Sequence, residues 1–292
     1  MSKALVLGGG GPVGVAWEAG LVAGLAEAGV DLSDADRIVG TSAGSIVGAR
    51  LALGASPAEL LAATRPVAPP TSGPAVPVVD GEALMAVGVA MFEALTGGRA
   101  HDEIIGDLGR LAAKAETIPE DDFVATVGSD LGTPWPDRDY ACTAFDVDSG
   151  AFTVWDAGSG VPLDRAVASS CAVPGILPPI TIDGRRYMDG GVISGTNAGL
   201  TEGHDVVVIV SCITRVVLGA EAYLRAPLDA EVAALRDGGS VVEVVEFDDA
   251  TIAATGGNLM DFSAETVQAV GATGLAQGRS EAGRIGAVWR GE

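Results

Sequence analysis

Gly40-Thr41-Ser42-Ala43-Gly44 fits the pattern G-x-S-x-G, standing between a short apolar run, Ile38-Val39, and a helix-forming stretch, Ser45 to Leu53. A serine in that setting is a candidate nucleophile. The tight strand-to-helix turn presents its hydroxyl outward, and small neighbours let the backbone pass close to the helix. The competing assignment for Ser42 is a helix N-cap, its hydroxyl accepting from the first helical N–H groups. Gly8-Gly9-Gly10-Gly11, after the apolar run Ala4 to Leu7, offers backbone amides at a helix start, suited to an anion or a developing oxyanion. Asp189-Gly190-Gly191 follows the arm Arg185 to Met188, where two glycines leave the carboxylate uncrowded and able to approach a serine hydroxyl. A carboxylate is intrinsically a poor base, so such a site requires local desolvation and a strong oxyanion hole.

Rival chemistries use the same residues. Gly9, Gly11 and Gly14 satisfy G-x-G-x-x-G, but a dinucleotide site needs an acid at the end of the second strand, and Asp31, Asp34 and Asp36 all precede that strand. No Lys-Ser/Thr pair follows the glycines, which removes a Walker loop. Ser42, Asp189 and His204 occur in the chain order of an α/β-hydrolase triad, so His204 stays open as a third member. It stands just before Val206 to Cys212, the clearest buried strand, whose amino end faces away from a carboxyl-end site. His101 reads as a helix-start residue, Asp146 and Asp148 as a close pair of carboxylates of which Asp148 is explained by a turn, and Met85 and Met91 as packing groups. At most one of Arg185 and Arg186 faces any given pocket, since neighbours on a strand point opposite ways.

The elements around these residues alternate. Ala4 to Leu7 leads into a helix over Val13 to Ala28, and Ile38-Val39 into the helix Ser45 to Leu53, stopped near Ser56-Pro57. Five prolines between Arg65 and Pro77 mark a surface connection, followed by a uniformly apolar helix, Glu82 to Leu95. Asp102 to Lys114 is an amphipathic helix, and Asp121 to Val127 a helix or the start of a strand. Tyr140 to Val147 and Ala151 to Trp155 make a hairpin around Asp148-Ser149-Gly150, and Thr181-Ile182 with Arg185 to Met188 make a second. Leu163 to Ser170 is a helix. After the buried strand, whose neighbours should be parallel, come a helix over Ala220 to Arg236, a strand over Val241 to Phe247, and a final helix over Ala264 to Gln277 interrupted by Gly271 and Gly274. The alternation implies an α/β sheet covered on both sides, with ligands at strand carboxyl ends, where all three glycine-bearing motifs fall. One domain, 1–292, is expected, with 65–98 a candidate lid or substrate-groove insertion.

Composition sets outer bounds. At 292 residues and 48% hydrophobic, the chain can bury a large core. With 39 acidic against 17 basic residues its formal charge is -22, which repels phosphate backbones and argues against nucleic acid as a partner. Glycines interrupt the N-terminal apolar run too early for a signal peptide, and no apolar stretch reaches the ~20 residues of a spanning helix. A cytoplasmic protein without stable membrane insertion is expected. Cys142, Cys171 and Cys212 are too scattered for a disulfide framework, and neither histidine has ligand spacing, so neither a metal nor a cofactor is expected.

The ordered set Gly8 to Gly14, Gly40 to Gly44 and Asp189-Gly190-Gly191, with Ala168 to Gly175 and Pro178-Pro179 before the aspartate, resembles the patatin-like phospholipase family over roughly residues 3–200. The resemblance implies a patatin-like three-layer α/β/α sandwich with a mostly parallel sheet, and a lipid acyl hydrolase without a required metal. Carried onto this sequence, it implies Ser42 as nucleophile, Asp189 as base, and Gly9, Gly10 and Gly11 as the oxyanion loop. Pro12 departs from the family, where a basic residue is frequent after the glycines, and it supplies neither charge nor amide donor. The implied partner is a phospholipid or other acyl ester, with hydrolysis through an acyl-serine. Acyl transfer to another alcohol and a lipid-binding module with little turnover are the alternatives.

Overall fold

A computed structural model describes residues 1–64, 88, 89, 93, 99–216 and 221–292. The expected lid or groove segment, 65–98, with its helix Glu82 to Leu95, lies outside the described residues apart from three positions. The chain opens with β1 (Lys3–Leu7), α1 (Gly11–Glu27), β2 (Arg37–Gly40), α2 (Ala43–Ala52) and α3 (Pro57–Ala63). It continues through α4 (His101–Lys114), α5 (Glu120–Gly128), the hairpin β3 (Asp139–Asp146) and β4 (Phe152–Trp155), α6 (Leu163–Ser170), and the hairpin β5 (Ile180–Ile182) and β6 (Arg185–Asp189). β7 (Val206–Ser211), α7 (Glu221–Asp237), β8 (Val241–Glu246), α8 (Asp249–Thr255) and α9 (Ala264–Arg290) complete it.

The strands form one sheet whose hydrogen-bonded neighbours run β5-β6-β3-β2-β1-β7-β8, with β4 paired to β3. β3, β2, β1, β7 and β8 are mutually parallel, as the uncharged, two-sided burial of β1 and β7 requires. Alternation sorts their side chains. Leu5, Leu7, Val208 and Val210 face α1, α2, α6 and α9, whereas Ala4, Val6, Val207 and Ile209 pack against Leu228, Val232 and Leu235 of α7. On that second face α4 covers Phe145 and Met188 through Ile104, Ile105 and Leu108. The result is the expected three-layer α/β/α sandwich.

Pairing around β3 fixes the site. Cys142 pairs with both Gly40 of β2 and Trp155 of β4, and Ala144 with both Thr153 of β4 and Asp189 of β6. Because each strand residue has one partner per edge, β4 holds one edge of β3 while β2 and β6 share the other. β2 runs along that edge in the sense of β3 and β6 runs against it, so their carboxyl ends meet head to head two residues apart, or ~7 Å. The sequence placed Asp189 correctly at a strand end, but that strand is antiparallel and arrives from the opposite direction.

Three helices differ from expectation, the short α8 being an addition to the expected elements. α9 is continuous through Gly271 and Gly274, because these glycines let it lie against α1: a Cβ on Gly274 would come within 2.4 Å of the Trp17 carbonyl, and one on Gly20 within 2.2 Å of the Gly271 carbonyl. α3 begins where the sequence was read as stopping, with Ser56 and Glu59 closing a capping box around Pro57.

Candidate active site

Ser42 is the second of the two residues between β2 and α2, with φ 52° and ψ −117°, a strained conformation for a residue with a side chain. The flanking glycines permit it. A Cβ on Gly40 would lie 2.5 Å from the Gly44 carbonyl oxygen, and one on Gly44 would lie 2.1 Å from that of Leu7. The turn is stitched to β1 and its loop by Thr41 N donating to Leu7 O (3.0 Å) and Gly44 N to Gly8 O (3.0 Å). Ser42 sits at the N-cap position of α2, yet its hydroxyl makes no capping hydrogen bond, which disposes of the capping role. Its own amide donates to Ser170 Oγ (3.0 Å), and its carbonyl accepts from Ser45 Oγ (2.6 Å) and Cys171 Sγ (3.2 Å).

From the facing strand end, the buried Asp189 carboxylate accepts the Gly191 amide (2.7 Å), and the Ser42 side chain is near enough to favour its charged form. Burial pushes its pKa up to about 6, against the smaller downward pull of the Ser42 side chain and the Gly191 amide. Gly190 is required because a Cβ there would lie 2.2 Å from Thr143 Oγ1 on β3. Asp189 N donates to Ala172 O (2.9 Å), which ties the Ala168 to Gly175 segment to the aspartate.

The glycine loop passes beside Ser42, and a Cβ on Gly9 would stand 3.4 Å from that of Ser42. Its amides are not equivalent. Gly9 N is committed to Gly195 O (2.8 Å), whereas the amides of Gly10 and Gly11 have no acceptor among the described residues. Ala43 N, directly after the serine, is likewise uncommitted. Gly10 and Gly11 are the N-cap and first residue of α1, and Ala43 is the first residue of α2, so both helix N-termini add positive partial charge. Amides of this kind, on the loop that passes Ser42 and directly after it, are the donor type that an oxygen anion needs.

Other candidates lie elsewhere. β7 starts at Val206, level with Lys3, while the Ser42 elbow follows the level of Leu7, so His204 is more than ~13 Å away along the strands. Its Nδ1 pairs with Thr201 O (2.9 Å). Asp36 and Asp34 are likewise at the amino end, bonded to Lys3 N (2.8 Å) and Trp289 Nε1 (2.7 Å). Arg185 and Arg186 pair with Asp146 (2.7 Å) and Asp148 (2.8 Å) around the β3–β4 turn. His101 opens α4, and the three cysteines are buried thiols, Cys142 pushed up to about 12 by burial. Among the described residues, no group of three or more His, Cys, Asp and Glu side chains could hold a metal ion, and no helix is long and apolar enough to cross a membrane.

No motif marks the buried carboxyl on α1, Glu18, which packs against Cys212. Glu18 of α1 is fully buried, its pKa well above the ordinary 4.5 because of desolvation; Cys212 Sγ lies 3.7 Å from one oxygen and the other has no partner. Asn197, also unmarked by any motif, has its amide within 3.0 Å of Thr41 Oγ1 and 3.2 Å of Gly190 O.

NTE family proteins of Mycobacterium bovis and Mycobacterium tuberculosis are 37% identical over 70 residues, 21% of this chain, and the match spans only 19% of the length of those relatives. Among solved structures, VipD from Legionella pneumophila aligns with a TM-score of 0.46 and 15% identity over 96% of this chain and 67% of its own. The type III effector protein ExoU gives 0.43 and 16% over 97% of this chain and 53% of its own. The family model for patatin-like phospholipases matches residues 5–201, a span that holds the glycine loop, the Ser42 elbow and Asp189. With more than half of its length and all three motif loops inside that match, the chain belongs to the patatin-like phospholipase family.

Proposed function

We propose that the chain is a serine hydrolase of lipid acyl esters, of phospholipase A, lysophospholipase or carboxylesterase type, working through Ser42 and Asp189. The observation that carries this reading is the head-to-head meeting of β2 and β6, which faces a strained serine with a buried carboxylate. Ser42 Oγ attacks the ester carbonyl while Asp189 takes its proton, and the amides of Gly10, Gly11 and Ala43 receive the oxyanion. Collapse breaks the ester C–O bond, Asp189 returns the proton to the departing alcohol, and the acyl group stays on Ser42. Water then gives a proton to Asp189 and attacks the acyl-serine; the fatty acid leaves as Ser42 Oγ is reprotonated. The raised pKa of Asp189 brings a carboxylate closer to the pH at which a general base is effective.

A fluorophosphonate probe tests the nucleophile. Native protein should be labelled at Ser42 and the Ser42→Ala variant should not. Absence of labelling in folded native protein would favour a lipid-binding module with little turnover.

A further inference from the structure

One loop touches all three motif loops. Gly195 O accepts the Gly9 amide (2.8 Å) beside the oxyanion donors. Two residues on, the Asn197 side-chain amide lies 3.0 Å from Thr41 Oγ1, next to the nucleophile, and 3.2 Å from Gly190 O, next to the base. It also reaches Thr143 Oγ1 (3.2 Å) on β3, the residue between the two strand ends, and Ser194 O (3.1 Å). Asn197 holds a left-handed backbone, φ 52°, a conformation asparagine tolerates better than most residues.

The loop is held from behind by one carboxylate. Glu231 of α7 accepts Ser194 Oγ at one oxygen (2.7 Å), and Thr196 Oγ1 (2.6 Å) and Ala198 N (3.0 Å) at the other. Ser194 Oγ in turn accepts Asn197 N (2.9 Å). Glu231 lies beyond residues 5–201, outside the segment that carries the family motifs. Neither Glu231 nor Asn197 contacts the reacting atoms.

We infer that residues 194–198 form a clamp, with Asn197 tying the nucleophile elbow to the aspartate loop and Glu231 locking the clamp to α7. Both are positioning residues: the serine and its base sit on loops from different strands, and a shift of about 1 Å between them is enough to slow the chemistry ~100-fold. The inference rests on the Ser42–Asp189 reading above.

Turnover of a short-chain nitrophenyl ester tests it in the full chain, with melting temperatures recorded for every variant. Asn197→Ala and Glu231→Ala should each lower kcat ~10-fold or more, with KM within about threefold of native. Glu231→Gln should recover most of the loss, because an amide can still bond Ser194 and Thr196. The double alanine variant should be no more than about threefold worse than the weaker single one, since both changes release the same clamp. Full kcat in either alanine variant, KM rising in step with the lost kcat, or multiplicative losses in the double variant would overturn the inference. If Asn197→Ala does not fold, Thr196→Val removes one bond to Glu231 at constant shape and should still lower kcat; an unchanged kcat there would count against the clamp. Ser42→Ala separates the two claims. Turnover surviving in it would sink the dyad, whereas an inactive Ser42→Ala beside fully active clamp variants would sink the clamp alone.

Discussion

Asp189 and Glu18 are both buried carboxyls near the nucleophile, and desolvation is the largest influence on each. Their hydrogen bonds separate them. Asp189 is supported by the Ser42 side chain and the Gly191 amide and is raised only to about 6, so it is ionised at neutral pH. Catalysis needs that ionised form, so kcat/KM should fall tenfold per pH unit below pH ~6, and a limb near pH 4 would contradict a desolvated base. Glu18 has only the weak support of the Cys212 thiol and is raised well above 4.5. The sign follows directly: its burial costs nothing in charge below pH 4.5, where both folded and unfolded forms are protonated, and the cost grows as pH climbs toward the folded value. Glu18→Gln should therefore match native stability near pH 4.5 and exceed it increasingly toward pH 8 in thermal melts. A difference independent of pH would mean that Glu18 is ionised in the fold. Ser42 and Asp189 were legible in the sequence because their glycine neighbours announce tight turns. The commitment of Gly9, the free Ala43 amide, Asn197 and Glu231 were not, since each depends on contacts between segments far apart in the chain.

Helices were legible where an amphipathic period or a buried run marked them, as in α4 and α6, and misread where glycine or proline acts through tertiary contact. Gly271 and Gly274 look like breaks in α9, yet they are the surface on which α1 lies. Ser56-Pro57-Ala58-Glu59 carries a capping box and an N-terminal proline, both start signals, so the segment that marks the stop of α2 also starts α3. α8 was missed although Asp248 caps it and Gly256 closes it in a left-handed turn, because seven residues give little periodicity. The close contact of α1 and α9 yields a paired prediction on one helix. Gly274→Leu drives a side chain into the Trp17 backbone, 2.4 Å from its would-be Cβ, and should cost about 1–3 kcal/mol in denaturant unfolding. Gly283→Ala meets nothing within 4 Å and should gain up to ~1 kcal/mol from helix propensity. Equal effects at the two positions would contradict the packing.

At the scale of the molecule, sheet polarity decides which residues can meet. The α/β class and the parallel neighbours of β7 follow from uncharged runs and crossover lengths, but strand order does not, and only the shared edge of β3 brings β2 and β6 end to end. The same polarity puts His204 at the amino end of β7, with the length of the strands between it and Ser42. Chain order alone permits a triad; the sheet separates its members. The direct test is turnover of a short-chain nitrophenyl ester by Ser42→Ala, Asp189→Asn and His204→Gln, each with its melting temperature. Ser42→Ala and Asp189→Asn should lose ~100-fold or more, because neither nucleophile nor base has a substitute, while His204→Gln stays within about threefold of native. A loss of ~100-fold in His204→Gln at unchanged melting temperature, or native turnover in Asp189→Asn, would contradict the dyad.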